Sequence, residues 1–116
     1  MSYQALSPDF AVAGQILPEE LPDIAQAGFK SVVCNRPDGE SGPSQPSFAE
    51  IAAAAEALGL QARHLAAPSG GVSPEHGQAL AALLQELPGP VLAYCRSGAR
   101  STMMWQLAQQ ALRAQE

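Results

Sequence analysis

The sequence predicts an α/β domain, a three-layer sandwich with helices on both faces of a mostly parallel central sheet. Three observations carry this expectation. Short apolar segments alternate with helix-patterned segments along the chain. Helical stretches open on capping or proline signals and close on glycine or proline. The last apolar segment, Val91 to Tyr94, contains no charge, as a central parallel strand requires. At 116 residues the chain matches the common size of one domain, so residues 1–116 are read as a single unit.

Phe10 to Gln15 is short and apolar and is expected as an edge strand. Pro18 suits a first helical position, and Leu21, Ile24 and Ala25 recur at helical spacing before Gly28 ends the run. Pro22 falls early enough to be tolerated in the first turn. Phe29 to Asn35 reads as a buried strand, rich in strand formers. Arg36 to Pro46 is a loop of Pro, Gly, Ser and Asp, the longest irregular segment, and such loops are often functional. Ser47 with Glu50 forms a capping box for a helix to Leu58, stopped by Gly59. Gln61 to Ala66 is the next strand, and Pro68 to Gly71 a turn. Ser73-Pro74 starts a helix with Leu80, Leu83, Leu84 and Leu87 on one stripe. After Val91 to Tyr94, Arg100 to Arg113 is the final helix.

Eleven acidic residues against six basic ones give a net charge of −5, which argues against nucleic acid or an anionic membrane as partner. No apolar run approaches the ~20 residues that span a bilayer. Met1 to Phe10 lacks a basic segment followed by an apolar one, so no secretory signal is read and a cytoplasmic location is expected. Two cysteines then read as reduced thiols. His64 and His76 lie far from both, so no metal site is expected, and no cofactor is implied. A monomer or weak homodimer is the default assembly.

Chemistry concentrates where the last strand meets the last helix, at Tyr94-Cys95-Arg96-Ser97-Gly98-Ala99-Arg100-Ser101. A cysteine there faces the free N–H groups of a tight loop and a helix start, whose dipole adds about half a positive charge. Such a nest lowers a thiol pKa and makes a nucleophile of it. The loop residues Arg96, Ser97, Gly98 and Ala99 would bind the substrate's oxygens, with Ser101 offering a hydroxyl to the sulfur. Arg100 would fold its planar fork over an oxyanion. Against this stands the reading of Cys95 as a buried structural thiol before a basic turn.

Cys95-x-x-Gly98-x-Arg100-Ser101 resembles the active-site loop that cysteine phosphatases and rhodaneses share in outline. Gly14-Gln15, Gly28-Phe29-Lys30-x-Val32, Asn35-Arg36-Pro37-Asp38-Gly39-Glu40 and the Cys95 loop together resemble the bacterial phosphatase-like domain of the β-lactamase-hydrolase-like protein family. The resemblance runs from about Phe10 to Gln109. It implies a dual-specificity-phosphatase-like fold, with Cys95 as nucleophile and Arg100 as oxyanion binder. Three features depart from the dual-specificity pattern. Four residues separate Cys95 from Arg100, one fewer than in those phosphatases and the length typical of rhodaneses. Tyr94 stands where a histidine is usual, and the loop Ala67 to Gly71 has no general-acid aspartate.

Asp38 is the first replacement candidate for that acid, with a plain turn residue as its alternative. Glu40 is second, then Glu75 and His76; His64 reads as a satisfied sheet histidine. Arg36 is either a second anion contact or a partner for Glu40. Cys34 reads as a small buried hydrophobe, with a resolving thiol for Cys95 as the sharper alternative. Three functions follow. The first is hydrolysis of a small anionic phosphate ester through a phosphocysteine. The second is rhodanese-like sulfur transfer from a sulfane-sulfur donor through a Cys95 persulfide. The third is anion binding without turnover.

Overall fold

The computed structural model describes residues 2–115. Five strands form one sheet in the order β1-β2-β5-β3-β4, with β1 Gln4–Ser7, β2 Phe10–Ala13, β3 Ser31–Cys34, β4 Gln61–His64 and β5 Val91–Tyr94. The pairings β2–β5, β5–β3 and β3–β4 are parallel, and β1–β2 is antiparallel. The all-apolar β5 is central and fully buried, as its composition requires.

Two layers of helix cover the sheet. The helices α1 Leu21–Gln26 and α2 Phe48–Ala57 bury Leu21, Ile24, Ile51 and Ala55 against Val32, Leu92 and Tyr94 on one face. On the other, α3 Pro74–Glu86 and α4 Ala99–Arg113 bury Leu80, Met104 and Ala108 against Val12, Val33 and Ala93. Side chains alternate along each strand, so Val32 and Val33 serve opposite layers. The two outer helices pack so tightly that a Cβ on Gly77 would come within 2.4 Å of the Leu107 Cβ.

Three expectations change. Phe10–Ala13 is not an edge strand, because Gln4–Ser7 pairs along its outer side. The sequence QALS carries almost no strand pattern; Gln4 and Ala5 are exposed, and Leu6 packs at the margin of the core. The helix expected from Pro18 splits into a 3-10 turn over Pro18–Glu20 and then α1. Pro22 has no N–H to give the Pro18 carbonyl, so the Leu21 N–H takes it in a tighter turn. Cys34 and Cys95 do end adjacent parallel strands, but Cys34 pairs in register with Tyr94 and shares its face of the sheet. Cys95, one residue on, faces the other way. Both thiols are free and buried, and Cys34 packs in the core as the small hydrophobe that was the first of its two expected roles.

Candidate active site

Parallel strands bring their C-terminal ends together, and the central strand's end is the most enclosed. Cys95 follows β5, with the ends of β2 and β3 on either side: its N–H donates to the Ala13 carbonyl at 3.3 Å, and the Asn35 N–H donates to the Tyr94 carbonyl at 2.8 Å. The loop then turns sharply into α4. Gly98, its N-cap, has φ +95°, a left-handed conformation that a side chain would strain, and its place against the Ala13 backbone leaves a Cβ only contact distance. Gly14 is required for a different reason. A Cβ there would lie 3.0 Å from the Arg96 carbonyl, the same carbonyl that accepts the Gln15 N–H at 3.3 Å.

The cradle closes on the sulfur. The Gly98 N–H donates to Cys95 Sγ at 3.0 Å, and the N–H groups of Ser97 and Ser101 also face it. Burial alone would push the Cys95 thiol up; contacts from Ser101, Ser97 and Gly98 outweigh it and hold the thiol below its ordinary value. Cys34 shows the opposite balance. Burial raises its thiol pKa, despite its neighbours Tyr94 and the Arg36 carbonyl, to which its S–H donates at 3.3 Å. The Tyr94 hydroxyl is buried and has no hydrogen bond of ordinary geometry, and burial first and then the neighbouring Cys34 keep it protonated. Two cysteines thus have two environments, and only the Cys95 thiol is held below its ordinary value.

Ser101 is tied to the strand end beyond the sulfur. Its hydroxyl donates to Asn35 Oδ1 at 2.8 Å, and Asn35 Nδ2 donates to the Leu65 carbonyl at 2.9 Å, which fixes which amide atom faces Ser101. A hydroxyl carries one hydrogen. That hydrogen rests on Asn35, and the Ser101 hydroxyl and N–H both lie against the sulfur and favour its anionic form. Alkylation by iodoacetamide checks this. Cys95 reacts with a midpoint below that of free cysteine, and Ser101→Ala moves the midpoint upward and slows labelling at neutral pH several-fold. Cys34, 3% exposed, stays unlabelled as an internal control. An unmoved midpoint in Ser101→Ala would remove the hydroxyl from the account.

Arg100 is 9% exposed and held in place. Its Nη1 donates to the carbonyls of Ala67 at 3.0 Å and Asn35 at 3.4 Å, and its Nη2 donates to Glu40 Oε1 at 3.1 Å. Of five N–H donors, Nε–H and one on Nη2 have no partner among the described residues. Glu40 Oε1 also accepts from Arg36 Nε at 2.9 Å. The hydrogen bonds from Arg100 and then Arg36 hold the Glu40 carboxyl below the usual carboxylate range.

A cavity of about 440 Å³ lies over this loop, lined by Cys95, Arg96, Ser97, Ala99 and Arg100, with Ser69, Gly70 and Val72 before α3 and Met103 of α4. A second cavity, of about 450 Å³, lies on the Gly14 side and is lined by Ser97, Gly98 and Ala99 but by neither Cys95 nor Arg100. The first is therefore the candidate reaction cavity. The structure brings together Cys95, Arg96, Ser97, Ala99 and Arg100 around it, with Gly98 and Ser101 beneath the sulfur.

Arg36 and Asp38 stand elsewhere. Arg36 is 4% exposed, with Nε on Glu40, Nη1 on Gln15 Oε1 and Nη2 on the Ser41 hydroxyl, so it is the partner for Glu40 rather than a cavity wall. Asp38 is exposed and accepts the Phe48 N–H at 2.8 Å, which makes it a cap for α2. Arg36 thus takes the second of its two expected roles, not the anion contact, and Asp38 stands as a structural loop residue, not as the acid, for one reason: the loop Arg36–Pro46 folds onto its own residues and onto α2. His64 donates from Nε2 to the Arg36 carbonyl at 2.9 Å and stacks on Phe48. Glu40's bridge to Arg100, 60 residues away, and the Asn35–Ser101 contact were not foreseen; a motif shows residues, not which of them meet. Among the described residues no group of three or more His, Cys, Asp or Glu gathers to hold a metal ion, and no helix is long and apolar enough to cross a membrane.

The same residues locate the chain among known proteins. Residues 2–112 match the family described as the phosphatase-like domain of beta-lactamase hydrolase-like protein. The chain belongs to this family. A beta-lactamase hydrolase-like protein of Agrobacterium fabrum is 31% identical over 98 residues, covering 84% of this chain and 22% of that protein. The chain thus spans about a fifth of that curated relative's length. Among solved structures, a candidate phosphatase from Neisseria meningitidis Z2491 superposes with a TM-score of 0.83 at 29% identity, over 96% of this chain and 89% of that one. Tk-PTP in its active form shares the fold, with a TM-score of 0.67 at 23% identity over 84% of this chain and 63% of its own. The mostly parallel α/β sandwich is therefore of the tyrosine-phosphatase type, and the chain is a phosphatase-like domain.

Proposed function

We propose that Cys95 hydrolyses a small phosphate monoester through a phosphocysteine intermediate. One observation carries this reading: Cys95, whose thiol is held below its ordinary value, and Arg100, which keeps two N–H donors unpaired among the described residues, line the same cavity. The thiolate attacks phosphorus in line, while the loop N–H groups and the Arg100 guanidinium hold the equatorial oxygens as charge gathers on them. Water then attacks the phosphocysteine, and Ser101 donates its hydrogen to the departing sulfur. With both thiols free, a reducing cytoplasmic compartment suits the chain.

The persulfide reading keeps one supporting feature, the four-residue spacing from Cys95 to Arg100. The family and its structural neighbours do not favour it. Mass spectrometry of protein rapidly quenched during turnover of 4-nitrophenyl phosphate tests the choice. A phosphate mass on the Cys95 peptide is expected, with no thiocyanate formed from thiosulfate and cyanide. Thiocyanate production without phosphate release would overturn the proposal in favour of sulfur transfer.

A further inference from the structure

Resting on the hydrolase reading, we infer that the alcohol leaves this site without a proton from the protein. The substrates are accordingly phosphate monoesters of acidic alcohols rather than of alkyl alcohols. Every candidate proton donor is engaged elsewhere. Asp38 caps α2 through the Phe48 N–H. Glu40 is held between Arg100 and Arg36. Glu75, in the exposed first turn of α3, interacts with Ser73 and its own N–H as a carboxylate. His76 Nδ1 accepts the Ser73 N–H at 3.0 Å, and the residue does not line the reaction cavity. Among the described residues around the reaction cavity there is no carboxyl or imidazole group; the segment facing the loop contributes only Ser69, Gly70 and Val72.

The chemistry balances without a donor. As the Cys95 sulfur forms its bond to phosphorus, the P–O ester bond breaks and its electron pair leaves on oxygen, which takes a proton from solvent. In the second step a water oxygen bonds to phosphorus, the S–P pair returns to sulfur, and the water's proton goes to solvent. The products are the alcohol and phosphate. Only an alcohol stable as its anion leaves quickly in the first step. Val72 and Met103, the latter 50% exposed, give the cavity an apolar wall against which an aromatic ring of such an alcohol can lie.

A series of ring-bearing esters tests this. Values of kcat/KM are compared for 4-nitrophenyl, phenyl and benzyl phosphate, because that ratio reports only the steps through loss of the alcohol. A positioned acid contributes about 10²–10⁴-fold, and the benefit is greatest for poor leaving groups. The expected fall from 4-nitrophenyl to phenyl phosphate is therefore about 10²–10⁴-fold, with a further fall to benzyl phosphate. A spread under tenfold across the series would overturn the inference and leave the hydrolase reading intact. Absence of Cys95-dependent release from 4-nitrophenyl phosphate would overturn both. Asp38→Asn, which preserves an oxygen for the Phe48 N–H, leaves the ratio of the esters unchanged; selective loss on phenyl phosphate would identify Asp38 as the acid and overturn the inference.

Discussion

Cys95→Ser releases phosphate from 4-nitrophenyl phosphate about 10⁴-fold or more slowly than the unchanged protein, yet still binds inorganic phosphate. The loss follows from the environment of the sulfur. The Gly98 N–H at 3.0 Å, with Ser97 and Ser101 beside it, favours an anion at this position. A thiol is close enough to ionisation for that environment to produce a nucleophile at neutral pH, whereas a hydroxyl is not. Binding survives because the loop amides and Arg100 remain, and serine fits the same buried site. Phosphate release and phosphate inhibition measured on the same preparations separate the two effects. Residual turnover within a hundredfold of the unchanged protein would mean that Cys95 is not the nucleophile. Because the thiol is held below its ordinary value, thiolate is present below the usual thiol range, and activity falls as acid protonates it.

Much of this arrangement was legible before any geometry. Helix starts were written as Ser47 with Glu50 and as Ser73 with Pro74, and both helices begin there: the Glu50 N–H reaches Ser47 Oγ at 3.2 Å, whereas at Ser73 it is the backbone N–H that is bound, by His76 Nδ1 at 3.0 Å. The apolar β5 announced its central place, and with it the position of Cys95. What escaped reading is set by tertiary contact. Gln4–Ser7 becomes a strand only because β2 offers it an edge. The face taken by Cys34 depends on register with Tyr94, which a one-residue shift would reverse. Gly14 looks like any loop glycine until the Arg96 carbonyl is seen against it. Arg36 and Arg100 looked alike as loop arginines near one end of the sheet. They divide by place: each spends three of its five N–H donors on the protein, but Arg100 lines the cavity and Arg36 does not.

That division gives the second large effect. Arg100→Lys lowers kcat/KM for a phosphate monoester by about 10²–10³-fold, the scale on which removal of a single preorganised oxyanion donor acts. Lysine keeps the charge but not the planar fork, so it cannot hold Glu40 and two carbonyls while also presenting a pair of donors to the anion. Arg100→Ala is a poorer probe. It leaves the Ala67 carbonyl without its 3.0 Å donor and Glu40 with Arg36 alone, so lost activity mixes with lost stability. The corresponding change at Arg36, Arg36→Lys, acts through Glu40 and the loop fold, and costs far less in affinity for inorganic phosphate. Thermal unfolding and phosphate inhibition of both lysine variants, set beside their kcat/KM, distinguish the roles. If Arg100→Lys stays within a few-fold of the unchanged protein while remaining folded, the free donors of Arg100 do not bind the transferring group, and the backbone N–H groups of the Cys95 loop hold it alone.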